Sequence, residues 1–356
     1  MRNFKLTCFG LLVFLFCGIT TITLASKSVK PNKNAPVSVI LDTDMGNDID
    51  DALALDMLYK FMDMGSIKLL GIMINKDYRF SPEFIDIMAT WYGYPNIPIA
   101  SLKKGDSLRI DGNNYTKTIS ELKLNRKLMF ERTIKNYNSL PQPVKLYRKL
   151  LQAQPDKSVT VISIGFLTNL AKLLDSEPDE FSSLNGKELV NKKVKLLSIM
   201  GGSFTAKPYA EYNILMDIKS AQKVFSICPS KIVASPFELG DSIRYPGMSI
   251  ENDFNWTEHH PLVKAYNAYN PNTIYDRSTW DLTSALYVYN PEKVFFNKSK
   301  PGIISVDNNG FTKFVENKDG KHFYLTTSAE QRKSILHYFL QLIPQKPTKY
   351  SKKDIR

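Results

Sequence analysis

The sequence predicts an α/β fold, a mostly parallel central sheet flanked by helices. Three observations carry that expectation: short apolar runs of strand length, helical patterns lying between them, and no internal repeat or Pro/Gly/Ser linker to divide the chain. Taken in order, the chain first shows Arg2 and Lys5 before an apolar run from Leu6 to Ile19, then small and hydroxylated residues up to Ala25. This pattern reads as a secretory signal peptide cleaved after Ala25, too short to span a bilayer, and it predicts an exported protein. A lipoprotein signal ending at Cys17 is the alternative, and the bulky Phe16 argues against it.

After a linker over 26–36, buried strands are expected at Val37–Leu41, Lys68–Ile74, Val159–Ile164, Val194–Met200 and Lys231–Ala234. Helices are expected between and after them, at Ala52–Met62, Pro82–Tyr92, Leu167–Leu174, Lys219–Phe225, Pro261–Tyr269, Leu282–Val288 and Ala329–Leu342. A hairpin-like region over Ile303–Leu325 carries turn signals at Asp307–Gly310 and Lys318–Gly320. Residues 100–145 are polar and give no clear element. One domain over 37–345 follows, then a basic tail over 346–356 expected to fray.

Composition narrows the function. With 43% hydrophobic, 12% aromatic and 23% charged residues, the chain is neither collagen, coiled coil nor wholly disordered. The net charge of +12 (47 Lys+Arg against 35 Asp+Glu) first suggests an anionic partner. Two of those positive charges leave with the signal peptide and others crowd the tail. No zinc spacing, helix-turn-helix or aromatic-basic ribonucleoprotein motif points to nucleic acid. Cleavage would leave Cys228 as the only thiol, so the mature protein forms no internal disulfide and rests on packing.

The chemistry gathers where the first strand ends. Asp42, Asp44, Asp48, Asp50 and Asp51 fall within ten positions, between a buried strand and a helix. In an open parallel sheet that end collects ligands. Carboxylates so close repel one another unless a cation lies among them, and an all-oxygen donor set favours Ca²⁺ or Mg²⁺ over zinc. Gly46 permits the tight turn. Helix capping would account for one or two of the aspartates, not five. An EF-hand fails on spacing, because Gly46 is fifth from Asp42 and no glutamate is twelfth.

This segment, from Asp42 to Ala52, resembles the long form of the N-terminal signature of the inosine-uridine type nucleoside hydrolases. Four further segments occur in that family's order: Ser163–Ala171, Met200–Gly202, Ala210–Asp217 and Trp280–Ala285. The resemblance implies a single Rossmann-like domain hydrolysing the N-glycosidic bond of ribonucleosides. It implies Ca²⁺ held by Asp44, Asp51, the Ile164 main-chain oxygen and Asp281, with Asp44 as general base toward a water. Asp42 would support the site. Asp50, Asn75, Glu211 and Asn213 would bind the ribose. The implied partner is a small-molecule nucleoside or related riboside, with a homo-oligomer left open.

Departures cluster on the leaving-group side. Many members carry a histidine just before the last aspartate ligand, where this chain has Trp280, a residue suited to stacking on the base. Thr205 stands where an asparagine is expected, and Phe204 and Tyr209 are candidate base contacts. His259 and His260 precede a helix and could bring an acid, although loop histidines are more often inert. Asn47 and Asp48, extra relative to the short signature, receive no role. Two rivals remain: a non-catalytic nucleoside- or sugar-binding protein, and a haloacid-dehalogenase-like phosphatase, to whose late acidic motif Gly240-Asp241 is faintly similar.

Overall fold

A computed structural model of the chain describes residues 35–102, 115–207, 209–289 and 295–351. The described residues fall within the second of two units into which the chain divides, Pro31–Arg356. The signal-peptide and Cys17 expectations fall on the first unit, outside the described residues. No helix among the described residues is long and apolar enough to cross a membrane.

The second unit is built on one large sheet. Its strands are β1 (Val37–Thr43), β2 (Ile67–Ile74), β3 (Ile99–Ser101), β4 (Val159–Ser163), β5 (Val194–Met200), β6 (Lys231–Ser235), β7 (Gly302–Val306), β8 (Thr312–Glu316) and β9 (His322–Thr326). Their order is β8-β7-β9-β6-β5-β4-β1-β2-β3, with Asn297–Lys298 pairing onto β9. Every pair from β3 across to β9 is parallel, whereas β7 pairs antiparallel with both of its neighbours and Asn297–Lys298 antiparallel with β9. Strand order reverses around β1, whose neighbours are β2 and β4, so a crevice opens at its carboxyl end. Asp42 pairs in register with Ser163 on one side and Met73 on the other, which places the acidic segment at that crevice.

The covering helices are α1 (Asp50–Asp63), α2 (Phe80–Tyr92), α3 (Pro143–Gln152), α4 (Thr168–Leu174), α5 (Ile218–Ile227), α6 (Pro261–Tyr269), α7 (Trp280–Tyr289) and α8 (Ala329–Leu342). Helix α1 is buried almost all round, from Asp50 to Phe61, and its buried Asp56 and Lys60 pair with each other one turn apart. It packs on α7, which is buried as completely from Asp281 to Tyr289. Both faces of the sheet are thereby covered, as parallel strands require.

Three expectations change. The segment 100–145, which gave no element, holds a short helix over Tyr115–Glu121 and the start of α3, which Pro143 begins and which is buried through Leu146, Tyr147 and Leu151. The turn at Asp307–Gly310 does join a hairpin, β7–β8, with Gly310 at φ 82° and Asp307 Oδ1 accepting from the Asn309 and Phe311 amides. The turn at Lys318–Gly320 does not join a second one, because β9 passes to the far side of β7 and pairs in parallel with β6. There His322 and Leu325 are buried, whereas Lys313 and Glu316 keep β8 a charged edge. The tail does not fray through Ser351. Tyr350 lies against Trp91 and Trp256, and Lys349 Nζ donates to the Thr90 carbonyl at 2.9 Å.

Candidate functional site

The carboxyl ends of β1, β4, β5 and β6 and the first turns of α1 and α7 enclose a cavity of about 300 Å³. Asp44, Asp48, Asp50, Asp51, Asp281, Asn47, Ile164, Glu211 and Asn213 line one part, and Tyr209, Phe237, Tyr269 and Trp280 line another.

The acidic floor is assembled by two helix starts. Ile49 is the N-cap of α1 and makes no side-chain capping bond, so Asp50 and Asp51 are first-turn residues free to face the crevice rather than caps. Asp50 Oδ2 accepts the Asp281 amide at 3.1 Å, which ties α1 to α7. Both helices thus aim their positive amide ends at the same carboxylates. Asp50, Asp51 and Asp281 each offer an oxygen within 4.8 Å of the others, and all three are buried. Burial first, then mutual repulsion, raises all three carboxyls well above the ordinary range. A buried cluster of hard oxygens that repel one another fits a hard divalent cation, Ca²⁺ or Mg²⁺, and offers no thiolate or imidazole to a softer one.

Asp44 lies beside this cluster, not within it. Burial pushes its carboxyl up to about 6, against the pull of the Lys76 ammonium and the Asn47 amide. Its backbone rests on Gly165, where an added Cβ would stand 2.5 Å from Asp44 N and 2.8 Å from Asp44 Oδ1. Only glycine permits that approach. Asp42 sits beneath, fully buried, accepting from Tyr147 Oη at 2.7 Å, Asn75 Nδ2 at 2.7 Å and Asn169 Nδ2 at 3.1 Å. Burial lifts it to about 7 and those three donors oppose the rise. Thr43 Oγ1 donates to Asp51.

On the opposite side, Glu211 caps a short helix by accepting from Asn213 N at 2.9 Å and Ile214 N at 3.2 Å, and it also receives Gly202 N at 3.1 Å. Burial raises it to about 7 despite these bonds. Asn213 Nδ2 approaches the carbonyls of Met200 at 3.3 Å and Ile164 at 3.4 Å, so the Ile164 oxygen named from sequence faces the cavity.

The aromatic wall is differently made. Trp280 stacks on Phe237 at 5.4 Å, and its indole N–H donates to the Phe237 carbonyl at 3.0 Å. Tyr209 packs on Phe237 at 4.5 Å. The Arg277 guanidinium lies 5.0 Å from the Trp280 ring and 5.4 Å from the Tyr269 ring. Arg277 also pairs with Asp48, Nε to Oδ1 at 2.8 Å, which gives Asp48 a tie across the rim.

Of the residues singled out from sequence, Asp44, Asp50, Asp51, Ile164, Tyr209, Glu211, Asn213, Trp280 and Asp281 share the cavity. Asp42 and Asn75 lie behind its lining, Asn75 with its Oδ1 buried and unpartnered. Phe204 stacks on Tyr324 at 4.7 Å beside Phe314, away from the cavity. Thr205 bonds within its own loop, to the Lys207 carbonyl. His260 is buried among Trp91, Tyr92, Phe254 and Trp256, where burial holds it well below the usual imidazole range; it caps α6 by accepting from Leu262 N at 3.2 Å. Neither His259 nor His260 lines the cavity. Sequence reasoning missed Phe237, Tyr269, Arg277, Lys76 and Tyr147. The Leu146-Tyr147-Leu150-Leu151 spacing after Pro143 was a usable helical signal for the last.

Comparison with known proteins adds to this geometry. The family model for inosine-uridine preferring nucleoside hydrolases matches residues 39–333. The chain is similar to the inosine-uridine preferring nucleoside hydrolase of Leishmania major, 24% identical over 201 residues, 54% of this chain and 57% of that protein. It is similar also to a pyrimidine-specific ribonucleoside hydrolase of Enterobacter sp., 29% identical over 195 residues, 52% of this chain and 56% of that protein. These alignments thus span little more than half of either relative. Among solved structures, the purine-preferring ribonucleoside hydrolase from Gardnerella vaginalis superposes with a TM-score of 0.64 at 14% identity, covering 86% of this chain and 98% of that one. At that identity the likeness speaks to the fold.

Proposed function

This chain belongs to the inosine-uridine preferring nucleoside hydrolase family, and from that premise we propose that it hydrolyses the N-glycosidic bond of ribonucleosides or related ribosides, releasing ribose and the free base. The observation that carries the proposal is one cavity joining a buried carboxylate floor, suited to a cation and a polyhydroxylated sugar, to an aromatic wall suited to a flat base. The cation is proposed to be Ca²⁺, held by Asp51, Asp281 and the Ile164 carbonyl together with Asp44 and with Asp50 adjacent. When bound, it supplies Lewis acidity toward water and the ribose diol.

In this reading Asp44 accepts the proton of the attacking water. A buried carboxylate beside the acidic cluster is placed to receive that proton. Asp50 serves the ribose from one side with Asn75 behind it, and Glu211 and Asn213 serve it from the other. Attack at C1′ accompanies departure of the base through an oxocarbenium-like ribosyl cation, and the surrounding carboxylates stabilise that positive charge. Trp280 holds the base by stacking. Its indole N–H is hydrogen-bonded to the Phe237 carbonyl and it is no proton donor to the leaving group, so the base departs as its anion and takes its proton from solvent water. Export is proposed on the N-terminal sequence alone.

Reducing-sugar release from a riboside panel tests the proposal. Turnover that chelation abolishes, Ca²⁺ restores and Asp44→Asn removes is the expected result. Phosphate release without ribose release would instead favour the phosphatase class, and tight binding without turnover a binding module.

A further inference from the structure

Behind the acidic floor lies a buried cation. Lys76 follows Asn75 at the end of β2, is 0% exposed, and donates through Nζ to Asn47 Oδ1. Asn47 Nδ2 in turn donates to Asp44 Oδ2. A carboxamide has one accepting and one donating end, an ammonium only donates, and a carboxylate only accepts. Placed between the two, the Asn47 amide has one orientation that satisfies both. Asp44 Oδ2 is engaged by that amide while Oδ1 lies over Gly165.

Burying an ammonium is costly, and one of the contacts that hold Lys76 is the amide that grips Asp44. Asn47 belongs to the two residues by which this acidic segment exceeds the short signature, so the longer loop supplies the link.

We propose that Lys76 and Asn47 are positioning residues that fix the rotation of the Asp44 carboxylate, so that the rate of the chemical step, rather than substrate or cation binding, depends on them. This rests on Asp44 acting as the base in riboside hydrolysis. Removing the Lys76 charge also removes a cation from the neighbourhood of the floor, so Ca²⁺ affinity is expected to hold or tighten while kcat falls. A merely structural lesion would weaken both.

The test uses the full Ca²⁺-loaded protein, a riboside that the unaltered protein turns over, calorimetric titration with Ca²⁺, and thermal melting as the control for folding. Lys76→Met and Asn47→Ala should each lower kcat about 10- to 100-fold, with KM and the Ca²⁺ Kd unchanged or the latter lowered. Lys76→Arg should restore part of the loss. Should Lys76→Met not fold, Asn47→Ala, on the cavity lining, carries the test alone. Unchanged kcat in Asn47→Ala, or a kcat that falls only in step with weaker Ca²⁺ binding, would overturn the proposal. Absence of ribose release by the unaltered protein from every riboside would overturn the hydrolase reading and this proposal together.

Discussion

The floor and the wall of the cavity are built on opposite principles. The floor is over-determined: Asp42 alone receives three side-chain donors, Asp50 is bonded to the first turn of α7, Glu211 takes three backbone amides, and all are buried. The wall is held by ring contacts, the Trp280 indole bond and the Arg277 guanidinium over two of its rings, with Tyr209 exposed and the Asp48–Arg277 pair partly open to solvent. A rigid floor suits a group shared by all ribosides, while an adaptable wall suits the part that differs among them. Precision of placement is where catalytic rate is gained, and stacking tolerates small shifts.

The largest effect should come from the floor. Asp44→Asn is expected to cost about 10³-fold in kcat with KM little changed, read by steady-state ribose release, since general-base catalysis is worth roughly 10²–10⁴-fold. An equal fall in Trp280→Ala would erase the distinction between the two regions. Next comes Gly165→Ala, whose Cβ would stand 2.5 Å from the Asp44 backbone nitrogen. It should lower kcat by about 10²-fold through displacement of Asp44, and a variant with wild-type kcat would show that the Asp44 placement is not demanding.

Cation removal separates the regions through stability. Asp42, Asp44 and Glu211 have folded-state pKa values raised to about 7, 6 and 7, above those of the unfolded chain. Raised carboxyls contribute stability that is full below about pH 4 and lost as pH rises through 6 to 7. The chelated protein should therefore melt at a lower temperature at pH 8 than at pH 5, and Ca²⁺ should remove most of that difference. A pH-independent melting temperature under chelator would contradict the electrostatic account of the floor.

Smaller effects belong to the wall. Trp280→Ala should raise KM by about 10-fold, unequally between purine and pyrimidine ribosides, because aromatic pairing is worth roughly 0.5–1.5 kcal/mol beyond area burial. Trp280→Phe should recover part of it. Asp48→Asn should change thermal stability least, by under about 1 kcal/mol, since the pair it breaks with Arg277 is partly solvated.

How much of this was legible in the sequence follows the same division. Five aspartates in ten positions mark the segment that brings Asp50 and Asp51 to the buried carboxylate cluster with Asp281, because like charges at short separation need a reason. The parallel strands were legible because strands covered on both faces read as unbroken apolar runs. What could not be read were partners brought together only by the fold: Tyr147 onto Asp42, 105 residues apart, and Arg277 onto Asp48, 229 apart. Sequence spacing also could not reveal that the Phe237 carbonyl accepts a hydrogen bond from the Trp280 indole N–H, or that His260 is walled into an aromatic cluster. The insertion of β9 between β7 and β6 escaped for a related reason, since turn residues specify a reversal but not which edge receives the next strand.

The central claim is that water is added at C1′ of a riboside on the acidic floor. Hydrolysis by the Ca²⁺-loaded protein in H₂¹⁸O, with products read by mass spectrometry, tests it most directly. The account predicts one ¹⁸O in the released ribose, none in the base, and no labelled product from Asp44→Asn. Ribose without label, label in released phosphate, or bound but unaltered riboside would contradict it.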